Sequence, residues 1–450
     1  MNVPNRRAQR RAAALMVTAL FFAAHTAAAQ DTLIARALSL GDAARLASRQ
    51  SATALEAEYR ADQALARVTQ ERATLLPNLS TNAVESGNTF NTATFGFDLP
   101  GLNPSGELIG PVNTLDVRAH LSQTLVDLGA LGHVRSARAS ARASDADAAS
   151  IAQQAATTAA VAYLETQRGE AHVAARMADS VLADSLVAIA HDQLTAGVGV
   201  ALDVTRAESQ AASVRAQLIA ARNERDRARL NLLRALGLPL EAPLQLADSL
   251  GELPVSDSVP DERAMIDAAL QHRPDVRAVS AKLAAAEQSV AATKSERLPS
   301  LSAFGNEGYI GTNDGSMLNT YTWGVQLSLP IFDGLHREGR IQEAQAMAKE
   351  IDVQRRDLRQ QVAIQVHGAV LDLRSAREQL DAARDRLRLS EQAVAQARDR
   401  FRAGVSGNLD VITASIDLNS ARNLEIDALT AYQSARVSLA RAQGAVTSLP

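Results

Sequence analysis

The sequence predicts an α+β fold made of two similar halves, in which very long helices alternate with pairs of strands. Three observations predict it. First, one short pattern occurs twice: Leu194, Thr195, Ala196, Gly197 and Val198 lead after three residues into Leu202, Asp203 and Val204, and Phe401, Arg402, Ala403, Gly404 and Val405 lead after three into Leu409, Asp410 and Val411. Gly197 and Gly404 lie 207 residues apart. Second, each copy follows a Pro-free, Ala-rich stretch, 128–191 and 335–401, and precedes another, so each reads as the tip of a hairpin between two long helices. Third, 115–124 and 321–329 alternate apolar and polar residues with period two, the mark of strands with one apolar face.

In chain order, residues 1–29 read as a secretory signal. Arg6, Arg7, Arg10 and Arg11 precede the apolar run Ala12–Ala24, and Ala27, Ala28 and Ala29 offer a cleavage site. An exported chain with no later apolar run long enough for a spanning helix fits the bacterial periplasm or outer membrane. It has no cysteine, so neither a disulfide framework nor a lipid-anchored cysteine is available. Loss of the signal's four arginines takes the formal charge from -4 to -8, which disfavours nucleic acid as a partner.

The first half, 30–236, opens on a helix over 40–75 that Pro77 ends. A polar strand over 79–97 and the alternating strand follow, joined by a loop holding Gly101, Pro104, Gly106 and Pro111. The long helix, the tip and a return helix over 203–236 complete it. Residues 237–260, with four prolines, form a connector. The second half, 261–450, repeats the order: a helix over 262–297 stopped by Pro299, strands at 301–310 and 321–329 around Asn313, Asp314 and Gly315, the second long helix, the tip, and a return helix over 410–443. Each long helix reaches roughly 95 Å at 1.5 Å per residue, which calls for a rod or barrel of helices.

Four strands cannot close a barrel, and an open sheet in lipid would leave backbone groups unsatisfied, so strands that enter a membrane require several copies of the chain. Tyr321 and Trp323 at one end of the last strand fit an interfacial aromatic girdle. The soluble alternative is a small sheet packed on helices.

The signal, the duplication, the Leu-Pro-x-Leu-Ser junctions at 76–80 and 298–302, the Leu-to-Asp spacing of 121–127 and 327–333, and the paired Gly-x-x-x-x-Leu-Asp-Val tips resemble TolC-like outer-membrane factors. The resemblance covers nearly the whole mature chain. It implies an α+β membrane protein: a homotrimer whose four strands per chain close a 12-stranded β-barrel in outer-membrane lipid, continued by a long periplasmic α-helical barrel with a mixed equatorial region. It further implies a passive exit duct for efflux or type I secretion, whose tips meet a periplasmic adaptor bound to an inner-membrane transporter.

The candidate site residues cluster at the tips. Asp203 and Asp410 open the return helices, where an acid can cap orphan N–H groups and complement the helix dipole. The resemblance adds that Asp410 and the position one turn on, here Thr413, line the channel entrance, with Asp203 taking part in its gate. It also places a locking Tyr and Arg at positions that are Phe401 and Ser406 here. Without the hydroxyl and the guanidinium that lock does not transfer, and an apolar constriction around Phe401 takes its place as the expectation. Gly197 and Gly404 provide positive-φ turns, and with Leu194, Val198, Leu202, Val405 and Leu409 they are the expected adaptor contacts.

No catalytic constellation emerges. The eight histidines are scattered with no metal-ligand spacing, no nucleotide-binding loop or nucleophile elbow occurs, and the acids lie among arginines on helix faces. The chain is therefore expected to be neither an enzyme nor cofactor- or metal-dependent. The competing reading from another class is a periplasm-spanning coiled-coil scaffold without a transport role.

Overall fold

The computed structural model describes residues 37–95, 106–251, 261–312, 315–403 and 405–449. The signal, residues 252–260 of the connector, Gly101, Pro104, Asn313, Asp314 and Gly404 lie outside the described residues. The order is α1 (Leu40–Gln50), α2 (Ala52–Ala73), β1 (Asn78–Asn91), β2 (Leu108–Asp127), α3 (Leu128–Thr195), α4 (Ala201–Leu236), α5 (Glu262–His272), α6 (Pro274–Ser295), β3 (Ser300–Thr312), β4 (Leu318–Ser328), α7 (His336–Arg402) and α8 (Asn408–Gln443). Each half thus runs helix pair, strand pair, long helix, return helix.

The four strands form one antiparallel sheet in the order β1-β2-β3-β4, leaving β1 and β4 as its edges. Register explains its two faces. Leu79 pairs with Leu121, Leu121 with Gly305, and Gly305 with Trp323, while two steps along the same alternation Ala83 pairs with Val117 and Val117 with Tyr309. Because side chains alternate along a strand, these residues share one face with Tyr321, Val325 and Leu327. That face is apolar and open: Trp323 is 78% exposed. The other face carries Asp116, Arg118, His120, Asn306, Thr320 and Gln326. There Arg118 donates to Asp116, Asn306 and Thr320 across three strands.

The expected first helices of each half are each two helices. Ser51 ends α1 by donating its N–H to the Ala47 carbonyl and starts α2 by accepting the Ala54 N–H on Oγ. Pro274 starts α6, and having no N–H of its own it suits the first position of a helix. Both breaks lie beneath the C-terminal glycine of a return helix. Gly237 (φ 72°) caps α4 with its Cα against Gln50 and Ser51, and Gly444 (φ 75°) caps α8 against Arg273 and Pro274. A side chain at Gly237 would run into the Gln50 backbone, and one at Gly444 would press on Arg273.

The duplication has diverged at this level. Arg273 is 6% exposed, and its guanidinium holds Asp275 through two bonds (3.0 and 2.6 Å), the Gln365 side chain (2.8 Å) and the Ala442 carbonyl (3.1 Å). At the equivalent positions of the first half stand Ser51, Thr53, Thr158 and Ala235, and they line a cavity of about 530 Å³. The arginine staple of one half is an open space in the other.

Above and below the breaks, packing is by small residues. Ala43, Ala44 and Ala47 of α1 and Ala156, Ala159 and Ala160 of α3 meet Tyr163, Leu232, Leu236 and Val437 in the central core. The buried Tyr163 hydroxyl donates to the Leu38 carbonyl at 2.9 Å. Gly132 rests against Ala292 of α6, and Gly169 against Arg225 of α4, each so close that an added Cβ would lie 2.9 Å from the facing Cα. Among the described residues no helix is long and apolar enough to cross a membrane.

Gly237 and Gly197 test whether these glycines serve conformation alone or close approach as well. Both have positive φ, but a Cβ on Gly197 would meet nothing within 4 Å, whereas one on Gly237 would collide with the Gln50 carbonyl. Gly197→Ala is expected to cost only the left-handed backbone term, about 1–2 kcal/mol. Gly237→Ala costs clearly more, seen as a larger fall in the melting temperature of the detergent-solubilised protein.

Candidate functional site

The two tips are built alike. After α3, Ala196 continues the helical turn, Gly197 takes φ 74°, and the Val198 N–H returns to the Gln193 carbonyl at 3.0 Å. After α7, the Val405 N–H returns to the Arg400 carbonyl at 2.9 Å, the same bond 207 residues on. The turn places Leu194, Val198, Leu202, Val405 and Leu409 at the surface, with Val198 80% exposed. Five solvent-facing Leu and Val residues at one end of the molecule form an apolar patch of the kind that marks contact surfaces.

Asp203 and Asp410 occupy the first turns of α4 and α8, where their charge faces the positive helix end. They do not cap. The cap positions are Val200 and Gly407, and neither helix start has a side-chain acceptor. Asp203 is partly covered, with Arg206 at 3.8 Å, while Asp410 and Thr413 are exposed one turn apart on α8.

Phe401 is placed differently from the constriction expected of it. It is 2% exposed, packed with Leu186 and Val411 between the two hairpins. Its ring fills the protomer's interior, because α7 ends with that face turned to α3 and α8. Beside it, two carboxamides tie tip to tip: Asn408 donates to the Asp203 carbonyl at 2.6 Å, and Gln193 donates to the Phe401 carbonyl at 3.2 Å. The oxygens of Asn408 (Oδ1) and Ser406 (Oγ) are buried there without a partner among the described residues.

Further from the tips the hairpins meet along a polar seam. On α3, Arg168, His172 and Arg176 follow one another at single-turn spacing; they face Asp427, Asn423 and Asn419 of α8, which run the opposite way at the same spacing. Next to them Asp179, 6% exposed on its side chain, takes a 2.6 Å bond from Arg422 and a longer one from Arg176. Burial pushes the Asp179 carboxyl above the ordinary carboxylate range, while the two arginines pull it back down. Sequence reading overlooked Asn408, Gln193 and this seam. The matched spacing of polar residues within two Ala-rich helices was the available signal. No His, Asp or Glu group among the described residues could hold a metal.

A four-stranded sheet with one apolar face, joined to two paired helical hairpins, is the arrangement of a known family. Residues 43–238 and 265–445 match the family described as outer membrane efflux protein. The chain belongs to that family. It is 28% identical over 262 residues to the toluene efflux pump outer membrane protein TtgC of Pseudomonas putida, covering 55% of this chain and 51% of TtgC. The chain therefore spans about half the length of the relatives it matches. Its fold superposes on the Campylobacter jejuni CmeC outer membrane channel with a TM-score of 0.75 at 18% identity, over 90% of this chain and 85% of CmeC. The open-state MtrE outer membrane channel of Neisseria gonorrhoeae gives 0.72 at 20% identity, over 90% and 88%. The family places the chain in the bacterial outer membrane, reaching into the periplasm.

The seam yields a prediction for stability. Asp179→Ala leaves Arg176 and Arg422 facing each other with no counter-charge, and removing one partner of a buried pair costs about 3 kcal/mol or more. Adding Arg422→Ala is expected to recover part of that loss, so a double-mutant cycle on melting of the solubilised protein gives a coupling well above experimental error.

Proposed function

We propose that three copies of this chain form a passive outer-membrane exit duct, fed by an inner-membrane transporter through a periplasmic adaptor. The observation that carries the reading is the open sheet. Its edges β1 and β4 are antiparallel neighbours in waiting: β1 of one copy pairs with β4 of the next, and three copies close twelve strands with the apolar face to lipid and the Arg118 face to the lumen. Tyr321 and Trp323 sit at the membrane interface in this arrangement. The helical hairpins then continue the wall into the periplasm.

The apolar tips support an adaptor as partner. Leu194, Val198, Leu202, Val405 and Leu409 offer the contact, and Gly197 and Gly404 keep the turn narrow enough for an adaptor hairpin to approach. The 30–236 and 261–450 halves contribute one tip each, after removal of the signal at 1–29. Asp410 and Thr413 face open space on α8, and three-fold symmetry repeats Asp410 as a carboxylate ring that favours cations. TtgC is named for toluene efflux, and a shared exit duct of this kind leaves substrate choice to the transporter.

Single-channel recording in planar bilayers tests the reading. The mature protein is expected to give cation-preferring steps and to run as a heat-modifiable trimer from outer-membrane fractions, with Asp410→Ala lowering the cation preference most at low salt. A soluble rod without steps removes the duct and leaves a periplasmic scaffold. Steps indifferent to Asp410→Ala leave that residue as a helix-dipole partner only.

A further inference from the structure

From the cavity of the first half we infer a binding site for an amphipathic carboxylate, a molecule with one anionic group on an apolar chain. It holds whether or not the chain forms a duct, because it rests on what the duplication puts in one place twice. In the second half that place is served from within. Arg273 fills it, and the Asp275 carboxylate at the start of α6 takes two bonds from the guanidinium and a third from the Val276 N–H at 2.9 Å. In the first half the same two positions are Ser51 and Thr53, so neither a guanidinium nor a carboxylate is supplied, and about 530 Å³ of space lies between α2, α3 and α4.

The lining sets the chemistry of the occupant. Ile151, Ala155, Thr158 and Ala162 follow one another at single-turn spacing along α3 and extend over about 16 Å of its axis. With Ala52 of α2 and Ala235 of α4 they make a long, mostly apolar wall that suits an extended chain. The polar part of the lining is cationic. No Asp or Glu lines the cavity, and Arg234 at its edge pairs with no acid among the described residues. The carboxamides of Gln154 and Asn231 stand there too, without partners among the described residues. The first turn of α2 carries no acid, whereas that of α6 has Asp275. A carboxylate beside Arg234 therefore restores the charge balance that the second half builds into its own sequence, through a charge-assisted bond in a half-covered space. A neutral chain gains only the wall, and a cation meets Arg234. The volume falls in the range of small-ligand sites. An occupant there bridges α2, α3 and α4 as Arg273 bridges α6, α7 and α8, and so stabilises the folded chain by mass action.

Octanoate is the probe, with octanol and octylamine as its neutral and cationic counterparts, titrated by calorimetry into the mature protein in lipid nanodiscs with empty nanodiscs subtracted. Saturable binding of octanoate is expected, with both counterparts at least about tenfold weaker and Arg234→Gln lowering the octanoate affinity by about tenfold or more. The double substitution Ser51→Arg with Thr53→Asp transplants the pair of the second half. It is expected to abolish octanoate binding and, without ligand, to melt above wild type. Should that variant fail to fold, Thr158→Phe puts a ring into the same space from the surface of α3 and has to abolish binding in its place. Absence of saturable binding to wild type overturns the site, and includes the case in which a neighbouring copy covers the cavity. Octanol binding as tightly as octanoate, unchanged affinity in Arg234→Gln, or wild-type affinity in a folded cavity-filling variant overturns it as well.

Discussion

The outer edges of β1 and β4 impose the constraint on which the rest of the molecule depends. Every N–H and C=O along them needs a partner, and lipid supplies none. The sheet has a second such commitment, because its two faces are chemically opposite: Leu79, Leu121, Trp323 and Val325 on one side, Arg118 with Asp116, Asn306 and Thr320 on the other. Only closure satisfies edges and faces at once. Closure with neighbouring copies then dictates that the helices leave the sheet as a ring, and a ring of helices has room for long rods and no room for a thick core. The 68-residue α3 and 67-residue α7 follow from the strands, not the reverse.

Rods in a thin wall pack largely through small side chains, with a few large ones such as Tyr163 and Leu232 at the central core. Most buried positions on α3 are Ala, Thr or Gly, and two glycines let neighbouring backbones touch. An alanine removes little apolar area from water, so each turn of such a contact contributes modestly and stability accumulates with length. Alanine surfaces also discriminate poorly between alternative registers, since one small side chain fits a neighbour's groove as well as the next. The polar seam supplies what they lack. Arg168, His172 and Arg176 meet Asp427, Asn423 and Asn419 in this alignment of α3 and α8, and a slip of one turn would part Asp179 from Arg422. Buried polar pairing that sets register is the best-attested use of such groups.

Much of this was legible in the chain. Pro77 and Pro299 marked the helix-to-strand junctions, the glycine-centred repeats marked the tips, and period-two alternation found β2 and β4. What escaped reading depended on contacts between distant segments. A serine at 51 is an ordinary residue inside a helix, and it becomes a break only because Gly237 lies on it; Pro274 was an open sign of the matching break. Asp203 and Asp410 look like caps by residue type, but the cap of each helix lies three residues earlier, at Val200 and Gly407. Phe401 looks exposed because it borders a turn, and is buried because the other hairpin packs there. Periodicity reports which face of a helix is apolar and cannot report which partner covers it.

Duplication explains the layout, and divergence explains how the halves cooperate. Two identical hairpins packed side by side present the same groups to each other in different surroundings, so a donor in one would have to meet its own copy in the other. The tips avoid this by becoming unlike. Asn408 stands where the first half has Ala201, and Gln193 stands where the second half has Arg400. The same divergence separates Arg273, which fills its socket, from Ser51, which leaves the cavity. A staple on the second half and an open space in the first let the base of one hairpin be held more tightly than the other. Unequal bases and unlike contacts at the tips distinguish two hairpins that share one order of elements.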